Sequence, residues 1–313
     1  MLSLYAKRLY NVTIISKGFI ILLTDVSLLK QFQHFCHRNK VTDFQKGLEF
    51  FAIFGGLNEQ INVTQPLFEV VKTRLLDKYG LVHKAMCNLY ESNAQNQAIL
   101  SAIALSDGRE HAVFKRARVS VFDGEKVVDD LLESGIIYNL RPKHSKHNTK
   151  EDNENLSNKL YFKNPVVRFW FGFVSPFFKG IKEGNYDESK DRFEKYFDNF
   201  VHLIFLELSK EMLKQKFEDD FLSDVNKYWE KDLNIDIMAK TKSGKVIACS
   251  CKYSNAKVKK SELTNLKEKC EKAKIKADIF VLFSKNGFSN ELKNSKSDTL
   301  KLLSVKNLKS LTK

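Results

Sequence analysis

The chain has 313 residues, enough for two domains that each bury a core, and 43% hydrophobic against 29% charged residues argues against a disordered or fibrous polypeptide. Its five cysteines (Cys36, Cys87, Cys249, Cys251, Cys270) are odd in number and form no CxxC pair, which disfavours a disulfide framework or zinc ribbon and fits a reducing cytoplasm. The net charge is +14, and residues 231–313 alone hold 20 Lys against 8 Asp and Glu. That asymmetry points to a polyanionic partner, nucleic acid first, with a merely solvated lysine-rich surface as the alternative.

The N-terminal stretch "MLSLYAKRLYNVTIISKGFIILLTDVSLL" carries early positive charge and apolar residues. Lys17 and Gly18 split it into pieces too short to span a bilayer, and no small-residue cleavage site follows, so it reads as a buried strand then a helix, with no membrane partner. From Asp43 to Ser92 apolar residues recur at helical spacing, broken at Gly55-Gly56 and between Asn62 and Pro66. "NQAILSAIALSDG", "HAVFKRARVS" and "FDGEKVVDDLLES" then predict three helices, followed by short strands "GIIYNL" and "KLYF" around a long polar tract. Three helices and a two-stranded hairpin are the pattern of a winged helix. "NPVVRFWFGFVSPFF" reads as a buried aromatic connector, and a long helix is expected from Ser189 to about Phe217. The remainder alternates: strands at "NKYWEKD", "NIDIMAKT" and "KVIACSCKY", a helix at "KSELTNLKEKCEKAK", a strand at "ADIFVLF", a short helix near Asn290 and a last strand at "LKLLSV". The expected fold class is α/β (mixed α+β), in four regions: 1–94 mainly helical, 95–164 winged helix, 165–186 connector, 187–313 α/β domain.

The chemistry-bearing residues fall in that last region. Strand alternation puts Ser250 and Lys252 on one face of "ACSCKY", and turns Asp236 away from Ile235 and Ile237. A carboxylate beside a lysine is the kernel of a metal-dependent nuclease, in which carboxylate oxygens hold Mg²⁺ or Mn²⁺ and the lysine faces the phosphate. Asp236 is the candidate metal ligand, Asp236 and Lys252 the candidate catalytic pair. Lys257, Lys259 and Lys260 follow as candidate phosphate contacts. In the winged-helix region Lys115, Arg116 and Arg118, with Arg141, Lys143 and Lys146 of the wing, are the candidate nucleic-acid contacts. Its third helix instead carries Asp123, Glu125, Asp129, Asp130 and Glu133 against Lys126, which would repel phosphate and puts a protein-docking role on at least an equal footing with a non-standard nucleic-acid contact. His34, Cys36 and His37 cluster in "HFCHRNK" without a second ligand pair at zinc spacing.

These motifs resemble the PD-(D/E)XK nuclease fold, and more closely the uncharacterised C-terminal domain of AAA-type ATPases of the archaeal ATPase family. "NPVVRFWFGFV" is similar to that family's Asp-Pro…Arg-Phe-Trp segment, Tyr228-Trp229 to its aromatic pair, "NIDIMA" to its Glu-Ile-Asp-Ile-Val-Ala and "CSCKY" to its Gly-Glu-Cys-Lys-Trp. "NQAILSAIA" to "LLESGIIYNL" resembles its winged helix, and "FAIFGGLNEQINVTQPLFEVV" the helical end of its ATPase module. The departures matter as much. No GxxxxGK[ST] loop occurs, so no ATP is expected as partner. The resemblance calls for acids where this chain has Ser250 and Leu206, with Glu207 the nearest substitute. The expectation is therefore a degenerate nuclease-like domain that binds nucleic acid or a protein without turnover and needs no cofactor. The rivals are an active Mg²⁺- or Mn²⁺-dependent endonuclease and an accessory module with no nucleic-acid role.

Overall fold

The computed structural model describes residues 12–16, 19–23, 26–90, 93–141, 157–230 and 233–312. The chain is mixed α+β and forms two compact units. The first takes in the described residues of Met1–Val41, Glu49–Arg141 and Ser157–Phe197, the second those of Thr42–Leu48 and Asp198–Lys313. Lys143 and Lys146 lie outside the described residues.

The first unit begins with β1 (Val12–Ser16) and β2 (Phe19–Leu23), paired antiparallel from Val12↔Leu23 to Ser16↔Phe19. The expected single strand is thus a hairpin, because two apolar five-residue runs two residues apart have the spacing that hairpins favour. Helix α1 (Leu28–Arg38) starts where the Ser27 hydroxyl accepts from the Lys30 amide. Its Phe32 and Phe35 meet Phe51 of α2 (Phe44–Phe54) at ring separations of 5.2 and 5.6 Å. Helix α3 (Leu67–Val71) continues as a π-helical turn, Lys72–Leu76, and is followed by α4 (Tyr79–Cys87).

Next come α5 (Ala94–Ala104), α6 (Glu110–Ala117) and α7 (Val121–Glu133), then an antiparallel hairpin of β3 (Ile137–Leu140) and β4 (Lys159–Phe162). Gly108, at φ +84°, makes the turn before α6; a Cβ there would lie 2.6 Å from the Leu160 carbonyl oxygen. The aromatic run is helical, as α8 (Pro165–Phe169) and a π-helical turn at Trp170–Val174. Asn164 caps α8 with Pro165 in the first turn, a favourable start because proline has no amide to leave unpaired. Phe169, Trp170, Phe171 and Phe173 are all buried, so the run is part of this unit's core. Each such ring contributes about 2–3 kcal/mol of transfer free energy. Helix α9 (Phe178–Lys182) precedes α10 (Asp187–Lys216). Helix α10 starts two residues earlier than expected; Asp187 and Glu188 favour a helix N-terminus, as Lys214 and Lys216 favour its end.

The second unit is built on five strands in the order β5-β6-β7-β8-β9: β5 (Leu222–Trp229), β6 (Asn234–Thr241), β7 (Val246–Lys252), β8 (Ile279–Ser284) and β9 (Leu300–Ser304). Strand β6 runs antiparallel to both of its neighbours, β5 and β7, while β7, β8 and β9 are parallel. Strand β5 begins at Leu222, earlier than the expected Asn226; its register against β6 shifts twice, and Asp224 sits at φ +56°, so the alternation is interrupted there. Helix α11 (Lys260–Lys272) makes the β7-to-β8 crossover, and α12 (Asn290–Asn294) lies between β8 and β9. Leu263, Leu266 and Cys270 of α11 pack with Ala248, Leu282 and Leu300 of the sheet. Tyr253, just past β7, meets Phe205 of α10 at 5.5 Å.

Candidate functional site

The site forms where β6 and β7 part. Their ladder is paired from Lys240↔Val246 to Ile237↔Cys249, and beyond it the Cys251 amide donates to Asp236 Oδ2 at 2.8 Å. A side-chain carboxylate thus satisfies a strand amide past the end of the ladder, which fixes Asp236 against the main chain between Ser250 and Lys252. Asp236 is half-buried between buried Ile235 and Ile237, at the register shift where Ile235 to Met238 of β6 face Asn226 to Tyr228 of β5. Its other oxygen has a long contact, 3.5 Å, from Asn234 Nδ2.

The second carboxylate comes from α11. Glu262, in its first turn, accepts through Oε1 from the Ser250 hydroxyl at 2.6 Å and pairs through the same oxygen with Lys252 Nζ at 3.2 Å. Asp236 and Glu262 therefore both end on the three consecutive residues Ser250, Cys251 and Lys252. The turn between β7 and α11 is held in place by Val258, whose amide donates to the Gly287 carbonyl and whose carbonyl accepts from the Ser289 amide. The Lys285 amide donates to the Lys252 carbonyl. These bonds set α11 at the carboxyl ends of β7 and β8, where open α/β sheets present their binding crevices.

Sequence reasoning missed Glu262 and offered Glu207 instead. Glu207 is held by Lys210 Nζ at 2.7 and 2.9 Å, and Leu206 is buried. The signal for Glu262 was present: it is the first acid after Lys252, at the start of the helix that follows the strand.

Oxygen donors of this kind suit Mg²⁺ or Mn²⁺. Among the described residues no group of three or more His, Cys, Asp or Glu converges to hold a metal ion. Two carboxylates with substrate phosphate and water still fit Mg²⁺, which is commonly held by one or two carboxylates plus phosphate oxygens. Thiol chemistry does not fit: Cys249 and Cys251 are buried, and burial pushes both thiols well up, with the charge of Asp236 adding to it. His34, Cys36 and His37 do not converge either, since Cys36 is buried and raised to about 12 by that burial while both histidines are exposed.

The basic candidates divide. Lys257 and Lys259 are exposed on the turn after β7, and Lys260 pairs with Glu291 at 3.1 Å. In the first unit Lys115, Arg116 and Arg118 are exposed around the end of α6. Helix α7 exposes Asp123, Glu125, Asp129, Asp130 and Glu133, and at its start Val121 (62% exposed) and Phe122 (79%). No helix among the described residues is long and apolar enough to cross a membrane.

No curated protein and no solved structure matches the chain. Residues 170–265, a stretch that includes Asp236, Ser250, Lys252 and Glu262, match a domain family, DUF234, described as archaeal and bacterial proteins of unknown function.

Proposed function

We propose that the second unit is a PD-(D/E)XK-type domain that binds the nucleic-acid backbone and cleaves it with a divalent cation, Asp236 and Glu262 being the metal ligands and Lys252 the residue at the phosphate. The observation that carries this reading is Glu262 Oε1 lying 3.2 Å from Lys252 Nζ, which supplies the acid that Ser250 lacks. A divalent cation bound there would lend Lewis-acid charge to a phosphate oxygen and lower the pKa of a bound water. Asp236 stays aligned through the Cys251 amide, Ser250 aims Glu262, and the Lys252 ammonium faces the charge that develops on the phosphate. Lys257 and Lys259 add sequence-independent attraction for the backbone.

The test is incubation of the full chain with plasmid and Mn²⁺, beside Asp236→Ala and Glu262→Ala. Cleavage that either substitution lowers at least about a hundredfold is expected. Absence of cleavage with Mn²⁺ and Mg²⁺, with salt-sensitive DNA binding retained, leaves the binding-only reading in its place. A second reading applies to the first unit. Its three helices and hairpin are a winged helix that docks a protein, because the exposed acids of α7 oppose phosphate.

A further inference from the structure

We propose that Lys252 gates cation binding: in the free chain its ammonium occupies Glu262, and a polyanion that draws Lys252 away frees that carboxylate, so nucleic acid and metal bind with positive coupling. This rests on the metal-dependent reading above. Glu262 Oε1 is shared by a neutral donor, the Ser250 hydroxyl at 2.6 Å, and by a cation, Lys252 Nζ at 3.2 Å. The two neighbours act in opposite directions on an incoming divalent ion. The hydroxyl orients the carboxylate and carries no net charge, whereas an ammonium on the same oxygen neutralises it and repels a second cation.

The latch is weak enough to open. The Lys252 side chain is 43% exposed against 17% for Glu262, so the ammonium can turn to a phosphate oxygen without being dragged out of a core. Exposed ion pairs of this kind shift an equilibrium only a few-fold. Lys257 and Lys259, exposed five and seven residues further on, draw the backbone to the same turn. Once Lys252 pairs with phosphate, Glu262 keeps its Ser250 hydrogen bond and regains a full negative charge. Linkage then requires that the cation tighten nucleic-acid binding by the same factor.

The experiment measures Mn²⁺ affinity of the full chain from the free-Mn²⁺ resonance signal, with and without a cleavage-resistant phosphorothioate duplex. Wild type, Lys252→Met, Ser250→Ala and Glu262→Ala are compared, with circular dichroism as the check on folding. The duplex is expected to tighten Mn²⁺ binding to wild type about threefold or more. Lys252→Met should bind Mn²⁺ alone tighter by a similar factor and lose the coupling, while Ser250→Ala should bind it more weakly. Coupling that persists in Lys252→Met, or a Lys252→Met protein that binds Mn²⁺ no tighter than wild type, overturns the gate while leaving the metal site intact. Mn²⁺ binding that is absent, or indifferent to Glu262→Ala, overturns both the gate and the metal-site reading.

Discussion

Helix α7 of the first unit and the start of α11 in the second are both helix beginnings next to exposed basic residues, yet their chemistry differs. Helix α7 opens with a Ser120 cap, exposes Val121 and Phe122, and then shows a run of acids to solvent. Helix α11 opens after Lys257 and Lys259, has no side-chain cap, and turns Glu262 inward onto a serine and a lysine. An acid pointed at solvent repels a polyanion, whereas an acid pointed at a lysine and a hydroxyl builds a site. Fold type alone therefore says little about which unit would suit a polyanion, and the direction of a few carboxylates says more.

The two helix starts should differ most at Glu262, whose replacement by Ala should remove Mn²⁺-dependent cleavage, while Glu125→Ala on α7 leaves it unchanged in the same plasmid assay. Next in size is the first unit's aromatic core. Phe173→Ala should cost about 3–5 kcal/mol in denaturant unfolding, the usual price of emptying a fully buried ring site. A loss under about 1 kcal/mol would mean that this core is looser than its burial implies. Replacing Lys257 and Lys259 together by Ala should lower the slope of log affinity against log salt by about 2, equally for any duplex sequence. The same measurement on Lys115, Arg116 and Arg118 variants should show a smaller change, and an equal one would erase the contrast between the units.

A smaller effect is expected at Asp107. Burial works against its charge, but Lys159 at 3.3 Å and Arg109 at 3.1 Å outweigh it and hold the carboxyl below its ordinary value of 3.8. A carboxyl with a lowered folded-state pKa stabilises above the ordinary value, and that contribution is lost as pH falls from there through the folded value. Since Asp107 is half exposed, screening limits it to about 1 kcal/mol. Thermal melts of wild type and Asp107→Asn should therefore differ near pH 6 and converge toward pH 3. Smallest of all, Phe122→Ala should change stability by less than about 0.5 kcal/mol, because the ring is largely in solvent.

Much of the second unit was legible in the sequence because strand alternation and turn residues report local geometry. β6, β7, α11 and β8 follow from "NIDIMAKT", "KVIACSCKY", the amphipathic run after them and "ADIFVLF". What was not legible depends on how the chain returns. Glu262 reaches Ser250 only because Val258 is bonded on both sides to the turn after β8, a contact between residues about thirty positions apart. Likewise the early start of β5 hides behind its irregular register, and the first strand was not seen to be a hairpin because both halves are equally apolar. Of the aromatic run, expected as a buried connector, Phe169 to Val174 are buried within the first unit while Pro176 and Phe178 are exposed, and hydropathy alone did not say that it would be helical.

The bond from the Cys251 amide to Asp236 has a consequence for how such chains drift. In the proposed site Asp236 would serve both the sheet and the chemistry, and only the second can be dismissed. If catalysis lapsed in a descendant, the aspartate would still be held in place by the amide that it serves. Its persistence would thus be a poor marker of activity, and Glu262, whose carboxylate meets the side chains of Ser250 and Lys252, is the position at which decay would first be visible.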